Sequence, residues 1–205
     1  MDKSVVRSIV RAGGVCPGEL VLVHFWGEDK DKQLANDFVC AVAECGASPI
    51  LLQQARSINQ VLFEHADDSC FDDGYFRIFS DVDAVLDVFA YQPIVLGGTP
   101  GPEGLQRYRR YIARLFDCLM RCKRFAQIRI PTAANAEESG LEPEDYIRRM
   151  TEAYNVDYGK LKANCGERVQ TLGNLEHLTI KTGADCKLNF SLTGRTWHID
   201  AGDGD

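Results

Sequence analysis

Apolar positions recur along the chain with two different periods, and their alternation predicts the architecture. Val5, Val6, Ile9 and Val10 share one helical stripe, which stops at Gly13-Gly14. Leu20 to Trp26 is an unbroken apolar, β-branched run, the signature of a strand covered on both faces. A helix follows over 29–46, with Leu34, Phe38, Val42 and Cys45 on one face and Gly46 as its stop. Pro49 to Leu52 predicts a second short strand, and Ser57 is placed to cap a helix carrying Ile58, Val61, Leu62 and His65. Asp83 to Ala90 predicts a third strand. After the loop-like segment 97–104 comes a long helix with Leu105, Tyr108, Ile112, Leu115, Leu119 and Cys122 inward. Ile128 to Ile130 is a further strand. Thr132 opens a helical stretch through Glu138, closed at Gly140; further helices are predicted from the acid-rich start at 142–145 to about Tyr154 and from Asp157 through Gln170.

Strands alternating with helices specify an α/β fold: a mostly parallel, Rossmann-like sheet with helices on its faces. Residues 1–126 are assigned to that region. Residues 127–205 form a smaller α+β region, expected to pack with the first as one unit. Near its end the period changes to two. Leu178 and Ile180 alternate with Thr179 and Lys181, a turn follows at 182–185, and Leu188, Phe190 and Leu192 alternate with polar residues. This is an antiparallel hairpin whose apolar face is expected to lie in the core.

Composition narrows the classes. The net charge of −7 argues against a general nucleic-acid binder, and no apolar run is long enough to span a bilayer, so a soluble, cytoplasmic protein is expected. The eight cysteines (Cys16, Cys40, Cys45, Cys70, Cys118, Cys122, Cys165 and Cys186) contain no C-x-x-C pair. None stands at zinc-ligand spacing from His24, His65, His177 or His198. They are read as small hydrophobes, with a reactive or metal-binding subset as the alternative. Acid clusters at Asp67-Asp68/Asp72-Asp73 and at Asp200/Asp203/Asp205 lack the ligand order of a calcium loop, and the Gly-rich loop lacks the order of a phosphate cradle. No G-x-S-x-G nucleophile elbow occurs. No metal or cofactor is expected.

Two features remain. The outer face of the long helix collects Arg107, Arg109, Arg110, Arg114, Arg121, Lys123 and Arg124 against Asp117. It is either a solvated face paired with nearby acids or a docking surface for an anionic ligand. Trp26 closes the first strand and Trp197 follows the hairpin. Ligands of open α/β sheets gather at strand carboxyl ends, which makes such aromatics candidate anchors.

The chain resembles the N-terminal domain of the thermophilic metallo-aminopeptidases of the aminopeptidase T and aminopeptidase S type. The likeness lies in Val15–Val23 (VCPGELVLV), Asp83–Ala90, Ile130–Tyr146 (IPTAANAEESGLEPEDY), Tyr154–Asp157 (YNVD) and the hairpin closing on Gly194-Arg195-Thr196-Trp197. The resemblance implies a Rossmann-like sheet followed by a smaller region ending in that hairpin. It also implies that paired metal ions are held in a second domain beginning after the Gly-Arg-x-Trp segment, where this sequence stops. The expectation is therefore a non-catalytic relative that holds a peptide, homodimeric by similarity. An acidic precursor peptide, presented to modifying enzymes in ribosomal-peptide natural product biosynthesis, is the expected partner. The candidate peptide-binding residues are Trp26, Arg129, Lys187, Asn189, Arg195 and Trp197. The alternatives are an enzyme with new chemistry dependent on His24 or a cysteine, and a dimerising scaffold subunit of a full-length relative.

Overall fold

In the computed structural model, which describes residues 1–92 and 100–201, the alternating signals resolve into two compact units, Met1–Asn155 and a second beginning at Val156. The loop residues Gly97, Gly98 and Thr99 and the acids Asp203 and Asp205 lie outside the described residues.

The first unit follows the order α1 (Lys3–Ala12), β1 (Leu20–Trp26), α2 (Lys32–Glu44), β2 (Ser48–Gln53), α3 (Arg56–His65), α4 (Asp73–Arg77), β3 (Ala84–Phe89), α5 (Pro102–Leu119), β4 (Arg124–Arg129), α6 (Ala133–Glu138) and α7 (Pro143–Tyr154). Its four strands form a parallel sheet in the order β2-β1-β3-β4. The fold is α/β, as the pattern requires. The boundary expected between 126 and 127 falls inside β4, whose residues 124–129 pair with β3. The separation between the compact units comes instead after α7.

The central strands are covered on both sides, which explains their unbroken apolar runs. Val21, Val23 and Phe25 of β1, with Leu86 and Val88 of β3, join Val6, Val10, Phe38 and Val42 of α1 and α2. Leu22 and Trp26, with Val85 and Phe89, face the opposite way into a cluster with Phe63 of α3, Phe76 of α4 and Tyr108, Tyr111, Ile112 and Leu115 of α5. Side-chain caps hold several helix starts. Asp2 accepts from the Ser4 amide at 2.7 Å, Thr132 from Asn135 at 3.1 Å, and Glu142 from Asp145 at 2.8 Å. Ser57 does not cap α3, which begins after Ala55; its hydroxyl serves Glu28 instead.

One close approach locks α5 against α3. A Cβ on Gly104 would meet the Phe63 carbonyl oxygen at 2.5 Å and the Pro100 ring at 2.5 Å. Neither group is a flexible side-chain tip. Gly104→Val is therefore expected to lower stability by about 2–3 kcal/mol through overpacking. Urea unfolding should show a lower midpoint at an unchanged slope.

The second unit contains α8 (Tyr158–Leu172) and the hairpin β5 (His177–Lys181) and β6 (Lys187–Ser191). Leu188 stands opposite Ile180, and Phe190 opposite Leu178. The expected apolar face exists, but it is uncovered: Ile180 is 44%, Leu188 55% and Phe190 42% exposed. The alternation puts these residues on one face, yet a period of two says only that one face is apolar. It does not supply the layer that would cover it.

Candidate functional site

The strand order places a topological switch point between β1 and β3, where the chain turns first toward β2 and then the opposite way. The residues just past these strand ends form a connected polar network. Glu28, two residues past β1, accepts from the Ser57 hydroxyl and, at 3.1 Å, from the Tyr91 hydroxyl. Burial works to raise the Glu28 carboxyl, but these hydrogen bonds outweigh it and hold the group below the usual carboxylate range. Arg56 lies over the Tyr91 ring at 3.9 Å and pairs with Glu138 at 2.7 Å. Glu138 also accepts from the Gln92 amide at 2.6 Å. Arg56 answers Glu138, and Glu28 is held by neutral hydroxyl donors, so the network ties α3 and α6 to the carboxyl edge of the sheet. Of these residues the sequence pattern nominates only Ser57, and as a helix cap; the available signal was a charged residue two positions past a buried strand.

Trp26 itself does not reach that edge. It is 1% exposed, and its indole N–H donates to Asp87 Oδ1 at 2.8 Å. The register sets His24 beside Asp87 on neighbouring strands, with His24 Nδ1 2.9 Å from the same oxygen. Both residues are fully buried, with the Phe116 ring of α5 6.0 Å from the imidazole. The last residue of an apolar run alternates like its fellows, and position 26 falls on the face covered by α5. The Trp26 side chain is thus part of the core and offers a peptide no surface. The His24–Asp87 pair has the composition of an acid–base dyad without exposure to a substrate.

The basic strip proves to be a composite. Helix α5 ends at Leu119, so Arg121 and Lys123 lie in the turn and Arg124 opens β4. Arg110 pairs with Asp68 and Arg114 with Asp73, while Lys123 pairs with Asp83 and Arg124 with Glu19. Most of the strip is thus a solvated face answered by acids. Two cavities open along it. One, of about 230 Å³, lies between Arg107, Arg110 and Arg114 on one side and Asp67 and Asp68 on the other, over Phe63, Phe71 and Tyr111. The other, of about 260 Å³, lies between α4 and the carboxyl end of α5. Phe71 holds φ 59, a left-handed backbone rare for a bulky residue, and its ring is packed 4.7 Å from Tyr111 and 5.3 Å from Phe63.

The remaining candidates are divided between the units. Arg129 ends β4, half-buried, and its carbonyl accepts from the Tyr154 hydroxyl at 2.8 Å. Lys187 and Asn189 are exposed on one face of β6, and Asn189 Oδ1 accepts from Thr179 across the hairpin at 2.9 Å. Arg195 is exposed in the following turn and Trp197 is half-buried. Lys187 stands directly opposite Lys181. Among the described residues no group of three or more His, Cys, Asp or Glu side chains is placed to hold a metal ion, and no helix is long and apolar enough to cross a membrane. All eight cysteines are free thiols.

No protein-family model and no curated protein matches the chain. Among solved structures it is similar to wild-type AmpT (aminopeptidase T) from Thermus thermophilus, with a TM-score of 0.56 at 18% identity. The match covers 83% of this chain and 47% of that one, so the chain spans about half the length of its structural neighbour. The protein therefore has an aminopeptidase-like α/β fold.

Proposed function

We propose that the protein holds an extended peptide without cleaving it, using the β5–β6 hairpin. The observation that carries this reading is the register of the hairpin. Two like charges, Lys181 and Lys187, face each other across it. Directly opposed like charges in a sheet are unfavourable, and an acidic strand laid along the hairpin would relieve them. The neighbouring Thr179–Asn189 pair supplies further hydrogen-bonding groups on the same face. A two-stranded hairpin is marginal by itself, and addition of a third strand from a ligand is an established recognition mode. Arg195 and Trp197, just beyond β6, extend the proposed contact, whereas buried Trp26 takes no part. In this reading the ligand is an acidic precursor peptide offered to modifying enzymes of a ribosomal-peptide pathway, and the carrier is a homodimer. The rival reading, a His24-dependent enzyme, is disfavoured by the complete burial of His24. A thiol-dependent one is disfavoured at Cys122, where burial pushes the thiol up.

Calorimetric titration with an acidic, extended peptide tests the proposal. Lys187→Glu and Asn189→Asp are each expected to weaken binding about tenfold. As exposed substitutions they should change stability by only about 0.5 kcal/mol. Loss of stability in step with binding would sink the assignment, as would peptide turnover by the purified protein.

A further inference from the structure

The cavity between α4 and the carboxyl end of α5 is independent of the hairpin, and its lining carries its own chemistry. Its floor includes the buried side chains of Phe76, Phe79 and Val82. Its rim carries Arg77, Arg114 and Arg121 against the single carboxylate of Asp73. Arg114 is engaged twice, in the ion pair with Asp73 and over the Phe76 ring at 4.5 Å. Arg77 and Arg121 have no ion-pair partner among the described residues. The site thus concentrates a surplus of two positive charges in a chain of net charge −7. The carboxyl end of α5 contributes only about half a negative charge nearby.

Size and chemistry then select a ligand. At about 260 Å³ the cavity falls just under the roughly 300 Å³ at which drug-sized pockets begin. It has room for one ring or one branched alkyl group. Guanidinium forks match the planar, two-oxygen geometry of a carboxylate. Cys118 and Cys122 also line the space. The Cys122 thiol donates to the Arg124 carbonyl at 2.9 Å and so adds a small neutral surface rather than a nucleophile. We propose that this cavity binds a small amphipathic carboxylate, its apolar body on the Phe76–Phe79–Val82 floor and its carboxylate between Arg77 and Arg121.

The probe is 3-phenylpropanoate, titrated into the full chain and followed by amide chemical shifts. A ligand of this size is expected to saturate with a Kd on the order of millimolar. Shifts should concentrate in α4 and residues 114–122. Arg77→Gln and Arg121→Gln should each weaken binding about tenfold, the scale of one charged hydrogen-bonded contact. Arg109→Gln, on α5 but lining neither cavity, should leave it unchanged. The corresponding amide, 3-phenylpropanamide, should bind at least about tenfold more weakly than the acid, and equimolar inorganic phosphate should not displace the acid. Equal binding of acid and amide would overturn the proposal, because the arginines would then contribute nothing. Displacement by phosphate would reduce the site to a patch for any anion, and unsaturable shifts or unaffected Gln variants would likewise overturn it.

Discussion

Asp87→Ala is expected to destabilise the first unit by about 3–5 kcal/mol, the scale of breaking a buried ion pair or hydrogen-bonded cluster by deleting one partner. The carboxylate receives the Trp26 indole N–H at 2.8 Å and lies 2.9 Å from His24 Nδ1, and all three residues are buried. Removing it leaves two buried polar groups without a counterpart, each costing about 1–3 kcal/mol, and opens a void beneath α5. Asp87→Asn keeps an acceptor for the indole and should recover part of the loss. Chemical denaturation monitored by Trp26 fluorescence reports both variants. If Asp87→Ala lost less than about 1 kcal/mol, the cluster would be incidental to stability.

Tyr111→Ala should lose a comparable amount, about 3–5 kcal/mol, typical of a large buried aromatic. Its ring lies 4.7–6.0 Å from those of Phe63, Phe71, Tyr75 and Phe76. Its hydroxyl accepts from the buried Gln54 amide at 2.9 Å, and burial pushes the phenol up, so it stays a neutral hydrogen-bonding group. Tyr111→Phe removes only the hydroxyl, with its Gln54 bond and its 3.2 Å contact to the Tyr75 hydroxyl, and should lose about 1–3 kcal/mol. The two variants differ in a second readout. Phe71 keeps its left-handed backbone because its ring is held, and that conformation alone costs about 1–3 kcal/mol. Losing the Tyr111 ring should free segment 66–72, seen as faster proteolytic nicking in the alanine variant but not in the phenylalanine one.

Where the fold was legible, burial on both faces made it so. Leu20–Trp26 and Asp83–Ala90 are apolar at every step but His24 and the aspartates, and that run length identified the central strands without any partner in view. The edge strand was harder. Arg124 looks helical because it continues the cation spacing of α5, and only the β3–β4 ladder shows that the helix has already ended. The five-residue helix α4 was missed for a similar reason: one turn leaves no period to detect. Site residues were less legible still. The sequence nominates Trp26 because it ends a strand, but which face an end residue takes depends on which helix covers it. Glu28, Arg56, Tyr91 and Glu138 meet only through the sheet order, so no local spacing announces them. Arg77 and Arg121 are 44 residues apart in the chain and converge on one cavity by the same route.

The sheet order also bears on how the chain is made. β1 pairs with β2 and β3, and the Leu20–Asp83 contact at the start of the β1–β3 ladder spans 63 residues. At a synthesis rate of roughly 5–20 residues per second, β1 emerges several seconds before β3 exists to cover its second edge. Throughout that interval a seven-residue apolar strand, LVLVHFW, stands with one side open. The hairpin faces no such delay, since its two strands are adjacent in sequence and hairpins close in about 1–10 μs. The nascent chain is therefore most dependent on chaperones early, while its most apolar strand awaits a neighbour not yet translated.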